Sequence, residues 1–78
     1  MSFTYPVIDL IKTGENIKRL RKEKNLSVKD LQEILSLESA QAIYRWQWGE
    51  TLPTIDNLVA LAKVFDCTIN DILIITGN

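Results

Sequence analysis

Apolar residues recur along this chain at helical spacing, in short blocks separated by polar turns. From Thr13 onward Ile17, Leu20, Arg21 and Lys24 fall at i, i+3, i+4 and i+7, which predicts a first helix running to about Lys24, with Thr13 a possible N-cap and Glu15 near the positive end of the helix dipole. Asn25-Leu26-Ser27 breaks it, because Asn tolerates a left-handed C-terminal position. Ser27 followed by Asp30 is a capping-box signature for a second helix, whose buried stripe is Val28, Leu31, Ile34 and Leu35 and whose pattern ends near Ser36. Ser36-Leu37-Glu38 is the turn into a third helix, predicted over 39–48 with Ser39 as its N-cap and Gly49 as its stop. Pro53 keeps Glu50-Thr51-Leu52 extended, and Thr54 then caps a fourth helix with Leu58, Leu61, Ala62 and Phe65 on one face. After a turn at Asp66-Cys67, Thr68 and Asp71 repeat the capping signature for a fifth helix that buries Ile69, Ile72 and Leu73. Five short helices with links of three to six residues predict an all-α orthogonal bundle, with 1–78 a single domain and 13–73 its helical core.

Residues 1–12 are apolar for a terminus, with Phe3, Tyr5, Val7, Ile8, Leu10 and Ile11, and Pro6 opposes a helix through the first six. They form an arm or a single helical turn over the first helix, or a dimer contact. With Leu73, Ile74 and Ile75 the arm either makes an isologous patch between two copies or packs on those residues within one chain.

The third helix has two faces of different chemistry. At about 100° per residue, Ile43, Trp46 and Gln47 share one side, while Gln41, Tyr44, Arg45 and Trp48 share the other. Only the first side needs a core, with Trp46 its anchor. An amide, a phenol, a guanidinium and an indole in a row suit base edges and phosphates better than burial, which makes this a candidate DNA-reading helix.

Charge modifies that picture. The formal net charge is -1 and the pI is near 5.2, without the overall basic footprint of many DNA-binding domains. The distribution is uneven: residues 1–30 carry Lys12, Lys18, Arg19, Arg21, Lys22, Lys24 and Lys29 against four acids, while 31–78 carry only Arg45 and Lys63 against six. Lone Cys67 allows no internal disulfide, and no histidine is present for a Cys/His metal cluster. Without histidine, a glycine-rich phosphate loop or a reactive cysteine environment, no catalytic site, cofactor, metal or small-molecule ligand is expected. No apolar run spans a membrane and the first residues do not read as a signal peptide, so the expected compartment is the cytoplasm.

Two short helices joined by a short turn, the second with a polar outward face, make the helix-turn-helix pattern. The run Gly14, Ile17, Leu20-Arg21, Leu26-Ser27, Leu31, Ile43, Arg45-Trp46-Gln47-Trp48-Gly49, Leu52-Pro53, Leu58 and Leu61-Ala62 resembles the Cro and phage-repressor type (lambda-repressor-like, or xenobiotic-response-element) helix-turn-helix family over about Gly14 to Leu73. The resemblance implies a five-helix domain with its third helix in the major groove of double-stranded DNA, phosphates held at the starts of helices 2 and 3 and by the loop after helix 3, and a transcriptional regulator, a small repressor acting as a dimer. By position it makes Ala40, Gln41, Tyr44 and Arg45 the base-contact candidates. Arg45 suits guanine O6 and N7, Gln41 suits adenine N6 and N7, and Ala40 suits a thymine methyl. The backbone-contact candidates are Ser27, Lys29, Ser39, Trp48, Thr51 and Thr54.

The chain departs from that family at four points. Val28 stands where Gln is frequent, and Glu50 where a Lys or Arg is common. Gln47 replaces the Glu that pairs with the first-helix Arg, so Arg21 is expected to donate to a neutral acceptor. The link between helices 2 and 3 is one residue longer than the common form. These features, with the exposed Trp48 and the acidic pI, also fit a second reading: an interaction module or antitoxin-like adaptor that keeps the fold with weak or no DNA binding.

Overall fold

The computed structural model describes residues 2–76, so Met1, Gly77 and Asn78 lie outside it. Among the described residues five helices form: α1 (Leu10–Glu23), α2 (Val28–Ile34), α3 (Gln41–Gln47), α4 (Ile55–Phe65) and α5 (Ile69–Ile72), flanked by the short strands β1 (Val7–Ile8) and β2 (Ile75–Thr76). They enclose one core of Ile17, Leu31, Ile43, Trp46, Leu58, Leu61, Phe65 and Ile72.

The starts and stops are set by local chemistry. Ser27 and Thr68 each close a full capping box with Asp30 and Asp71, and the Thr54 hydroxyl accepts from the Asn57 N–H. The two box carboxyls are held below the usual carboxylate range, chiefly by the backbone N–H groups of Ser27 and Thr68 and then by their hydroxyls. At the other ends α1 to α4 all stop on a left-handed residue: Asn25 (φ 57°), Ser36 (φ 54°), Gly49 (φ 77°) and Asp66 (φ 55°). The following N–H then reaches back to a carbonyl five residues earlier, from Leu26 to Arg21, Leu37 to Gln32, Glu50 to Arg45 and Cys67 to Ala62. This is the Schellman bond, and it satisfies orphaned helix carbonyls four times over.

Four expectations are corrected. The first helix starts at Leu10 and its N-cap is Asp9, whose carboxylate accepts from the Lys12 N–H at 2.9 Å, so 10–12 belong to the helix and not to an arm. Thr13 is buried inside α1, where its hydroxyl accepts from the Ile74 N–H at 2.9 Å. The third helix covers Gln41–Gln47, shorter than 39–48; its cap position is Ala40, without a side-chain cap bond, while the Ser39 hydroxyl accepts from the Gln41 N–H at 3.3 Å. Ile34 is 51% exposed, because α2 ends there and Leu31, Val28 and Leu35 face the core instead.

The two termini meet within one chain. Strands β1 and β2 pair antiparallel, Val7 with Thr76 and Ile8 with Ile75, and the ladder continues into α1 through Asp9 N–H to the Ile74 carbonyl (2.8 Å). One turn further, buried Asn16 donates from Nδ2 to the carbonyls of Asp71 (2.8 Å) and Ile72 (2.9 Å), which end α5. Helix α1 thus stitches down the last helix and the strand after it. Cys67 is half-buried, and burial, followed by the nearby carboxylates of Asp71 and Asp66, pushes its thiol up. That environment disfavours a thiolate, as a small packing residue would have it.

Candidate nucleic-acid interface

Helix α3 has seven residues, too few to be stable alone, so its place depends on what lies beneath it. Ile43 is fully buried and Trp46 nearly so, at 4% exposure. Both go into the common core, the side expected for them. The Gln47 Oε1 accepts from Arg21 Nε at 3.0 Å, and Arg21 Nη1 donates to the Leu26 carbonyl at 2.7 Å. The neutral-acceptor bond expected from Gln47 is therefore present. Arg21 is only 7% exposed, so these two bonds tie α1, the link from α1 to α2 and the underside of α3 into one unit.

Gly14 permits the crossing. A Cβ there would sit 2.2 Å from the Trp46 carbonyl oxygen and 2.8 Å from that of Gln47. Backbone therefore lies against backbone where α1 crosses α3. At the far end Gly49 takes a positive φ and brings the turn within reach of the Ile11 backbone, which an added Cβ would meet at 2.8 Å.

With the underside fixed, the other face is free. Gln41, Tyr44, Arg45 and Trp48 are all exposed, at i, i+3, i+4 and i+7. Tyr44 and Trp48 stack, with ring centroids 5.8 Å apart and planes 26° from parallel. Such offset stacking gives the end of the row a stiff aromatic surface. The Arg45 guanidinium approaches the Glu50 carboxylate, Nε to Oε1, at 3.7 Å, with both side chains about half exposed. Among exposed groups such a pair is worth at most about 1 kcal/mol and is easily opened.

The remaining candidates flank this row. Ala40 is half-buried at the start of α3, and Ser39 is exposed before it. Ser27 and Lys29 are exposed at the start of α2, Thr51 in the loop after α3, and Thr54 at the start of α4. The hydroxyls of Ser27 and Thr54 are already acceptors in caps, yet a hydroxyl also has one proton to donate, and a phosphate oxygen can take it. Asn16 was missed by the pattern and carried no local signal; Gly14, part of the family run, and Glu50, one of the departures from it, were noticed without their roles as the α1–α3 crossing point and the partner of Arg45.

Residues 17–72, from α1 through α5, match the helix-turn-helix family. The chain belongs to the Cro and phage-repressor type of that family. Among relatives, the helix-turn-helix chain is 36% identical over 60 residues to the HTH-type transcriptional activator BcrR of Enterococcus faecalis; the match takes in 77% of this chain and 29% of that protein. Among solved structures it resembles the restriction-modification controller protein C.AhdI from Aeromonas hydrophila, with a TM-score of 0.73 and 25% identity over 82% of this chain and 96% of that one. It also shares the fold of the DNA-binding domain of BldD, with a TM-score of 0.71 and 18% identity over 85% and 94% of the two chains. The helix-turn-helix pair proper is α2 and α3, and the exposed row lies on its second helix.

Proposed function

We propose that this chain is a DNA-binding transcriptional regulator that lays α3 in the major groove of double-stranded DNA. The observation that carries the reading is the exposed row Gln41, Tyr44, Arg45 and Trp48 over a rigid underside of Ile43, Trp46 and Gln47. In this arrangement Arg45 and Gln41 read base edges, with Tyr44 and Ala40 beside them, and Ser27, Lys29, Ser39, Trp48, Thr51 and Thr54 hold the sugar-phosphate strands. The family and the relatives, a transcriptional activator and a controller protein by name, support DNA as the partner. The chain acts as a repressor by occupying a promoter in the cytoplasm.

A single domain contacts few bases, so a second copy on a two-fold site completes the reader, with half-sites about 34–36 Å apart or a multiple of that. The exposed Phe3, Tyr5, Val7, Ile8 and Ile75 surround the open edges of the β1–β2 ribbon. No charge occurs in 2–8 or 72–76 to guard those edges.

The test is selection from a random duplex pool, with binding measured over a salt series and mass measured by sedimentation. One sequence is expected to be enriched, affinity should fall steeply with salt, and Arg45→Ala should cost about 1–3 kcal/mol at one base position. A reporter behind the selected site then reads the sign of regulation. Enrichment of nothing over random DNA at low salt refutes the proposal and favours the interaction-module reading.

A further inference from the structure

The Schellman turn that ends α3 has a chemical consequence. In that motif the residue after the left-handed position folds back over the residue five before it, commonly with a hydrophobic contact between the two. The other ends of this chain place there Leu26 over Arg21, Leu37 over Gln32 and Cys67 over Ala62. At the end of α3 the same positions are Glu50 and Arg45. The Glu50 N–H donates to the Arg45 carbonyl at 3.0 Å, and the side chains face each other as opposite charges at 3.7 Å. The backbone bond keeps the two residues adjacent, so the turn brings the side chains within reach of each other.

We propose that Glu50 is a positioning residue that sets specificity. Its carboxylate holds the Arg45 guanidinium by the Nε edge, so that the Nη1 and Nη2 fork points end-on at a guanine, and it penalises contact with phosphate at any sequence. This rests on the DNA-reading role proposed above. Two facts lead to it. The approach runs through Nε, whereas a bidentate guanidinium contact to O6 and N7 can be made by the terminal fork. The carboxylate also sits on the loop that follows the reading helix, where Thr51, Leu52 and Pro53 are uncharged, so the one charge it is set against there is Arg45, and it offsets the pull that Arg45 would otherwise exert on a phosphate at any sequence. A sequence-blind complex therefore gains little from Arg45. A matched complex recovers the loss through the guanine.

The experiment compares wild type with Glu50→Gln, which keeps shape and the backbone N–H while removing charge, and with Arg45→Ala and the double variant. Affinity is measured for the selected duplex, for that duplex with the pair read by Arg45 replaced, and for random duplex, and a thermal melt checks that each variant is folded. Glu50→Gln should tighten random-duplex binding by roughly two- to fivefold, the range of an exposed charge interaction, and should lower discrimination at the Arg45 position by at least about twofold. With Arg45→Ala in place, Glu50→Gln should still tighten random binding but leave discrimination unmoved. Glu50→Asp, which restores the carboxylate, should return discrimination toward wild type. Full discrimination retained by Glu50→Gln, or an equal loss with and without Arg45, overturns the Glu50 role alone. A wild type that selects no sequence overturns the DNA-reading role itself, and is seen before any variant is made.

Discussion

Gly14→Ala is the sharpest probe of how the reading helix is held. The new methyl carbon would lie 2.2 Å from the Trp46 carbonyl oxygen and 2.8 Å from the Gln47 carbonyl oxygen. An ordinary carbon–oxygen contact needs about 3.3 Å, so α1 and α3 must separate by roughly 1 Å. Neither obstacle can turn aside, because both are backbone and the Trp46 oxygen is also the acceptor for the Gly49 N–H at 3.1 Å. Two effects oppose each other. Alanine in place of a helical glycine favours α1 by about 1 kcal/mol. Forcing a well-packed contact apart costs typically 1–3 kcal/mol, and two backbone oxygens put this site at about 3. The net expectation is a loss of about 2 kcal/mol, which in a domain of this size lowers Tm by roughly 8–16 °C. The displacement should also be read in binding, since base-edge hydrogen bonds tolerate only a few tenths of an ångström. Affinity for the selected duplex should therefore fall more than affinity for random DNA. Lys18→Ala, on the exposed side of α1, is the control and should change neither. A Gly14→Ala protein that melts at or above the wild-type temperature would show propensity to dominate and would refute the backbone-to-backbone crossing.

The remaining expectations concern the charges. Gln47→Glu gives the buried Arg21 an anionic partner in place of the neutral acceptor at 3.0 Å; a charge-assisted bond exceeds a neutral one by about 1 kcal/mol, so urea denaturation should show a gain of that order, and a loss would mean that burying the carboxylate outweighs it. Acid should weaken the fold through Asp30 and Asp71: their folded values lie below the usual 3.8, so their stabilisation is complete above that pH and is lost as pH falls through the lower folded values. The Asp30→Asn, Asp71→Asn pair should accordingly flatten the decline in denaturation midpoint below pH 4 or so, and an unchanged slope would exclude the two boxes as its source.

The helices were legible where the chemistry is local. Ser27 with Asp30, Thr54, and Thr68 with Asp71 were readable because a cap needs only residues three apart, and all three hold. The division of α3 into an Ile43–Trp46–Gln47 underside and an outward Gln41–Tyr44–Arg45–Trp48 row followed from period alone. The start of α1 was misread for a long-range reason. Thr13 looks like a cap, but its hydroxyl accepts from Ile74, 61 residues away, and Asp9 takes the cap position instead. Asn16 serves Asp71 and Ile72 across a similar separation. No local pattern encodes such partners. The same holds for the β1–β2 ribbon, where two apolar termini could equally have met another molecule.

The stops of the helices bear directly on recognition. Ser36 and Asp66, at two turns readable from the sequence, take left-handed conformations that glycine would enter more easily, a strain that the surrounding bonds must offset. Gly49 has no such strain, and its turn lies against Ile11 too closely for any side chain. The stop of the reading helix is thus fixed from the α1 side, as its middle is fixed by Gly14 and its underside by Arg21. Three contacts to one helix define the position of α3, while its own start at Ala40 lacks a side-chain cap. Precision in the outward row therefore comes from α1 and not from the helical strength of α3. Substitutions on α1 that never approach DNA should alter which sequence is read before they abolish binding.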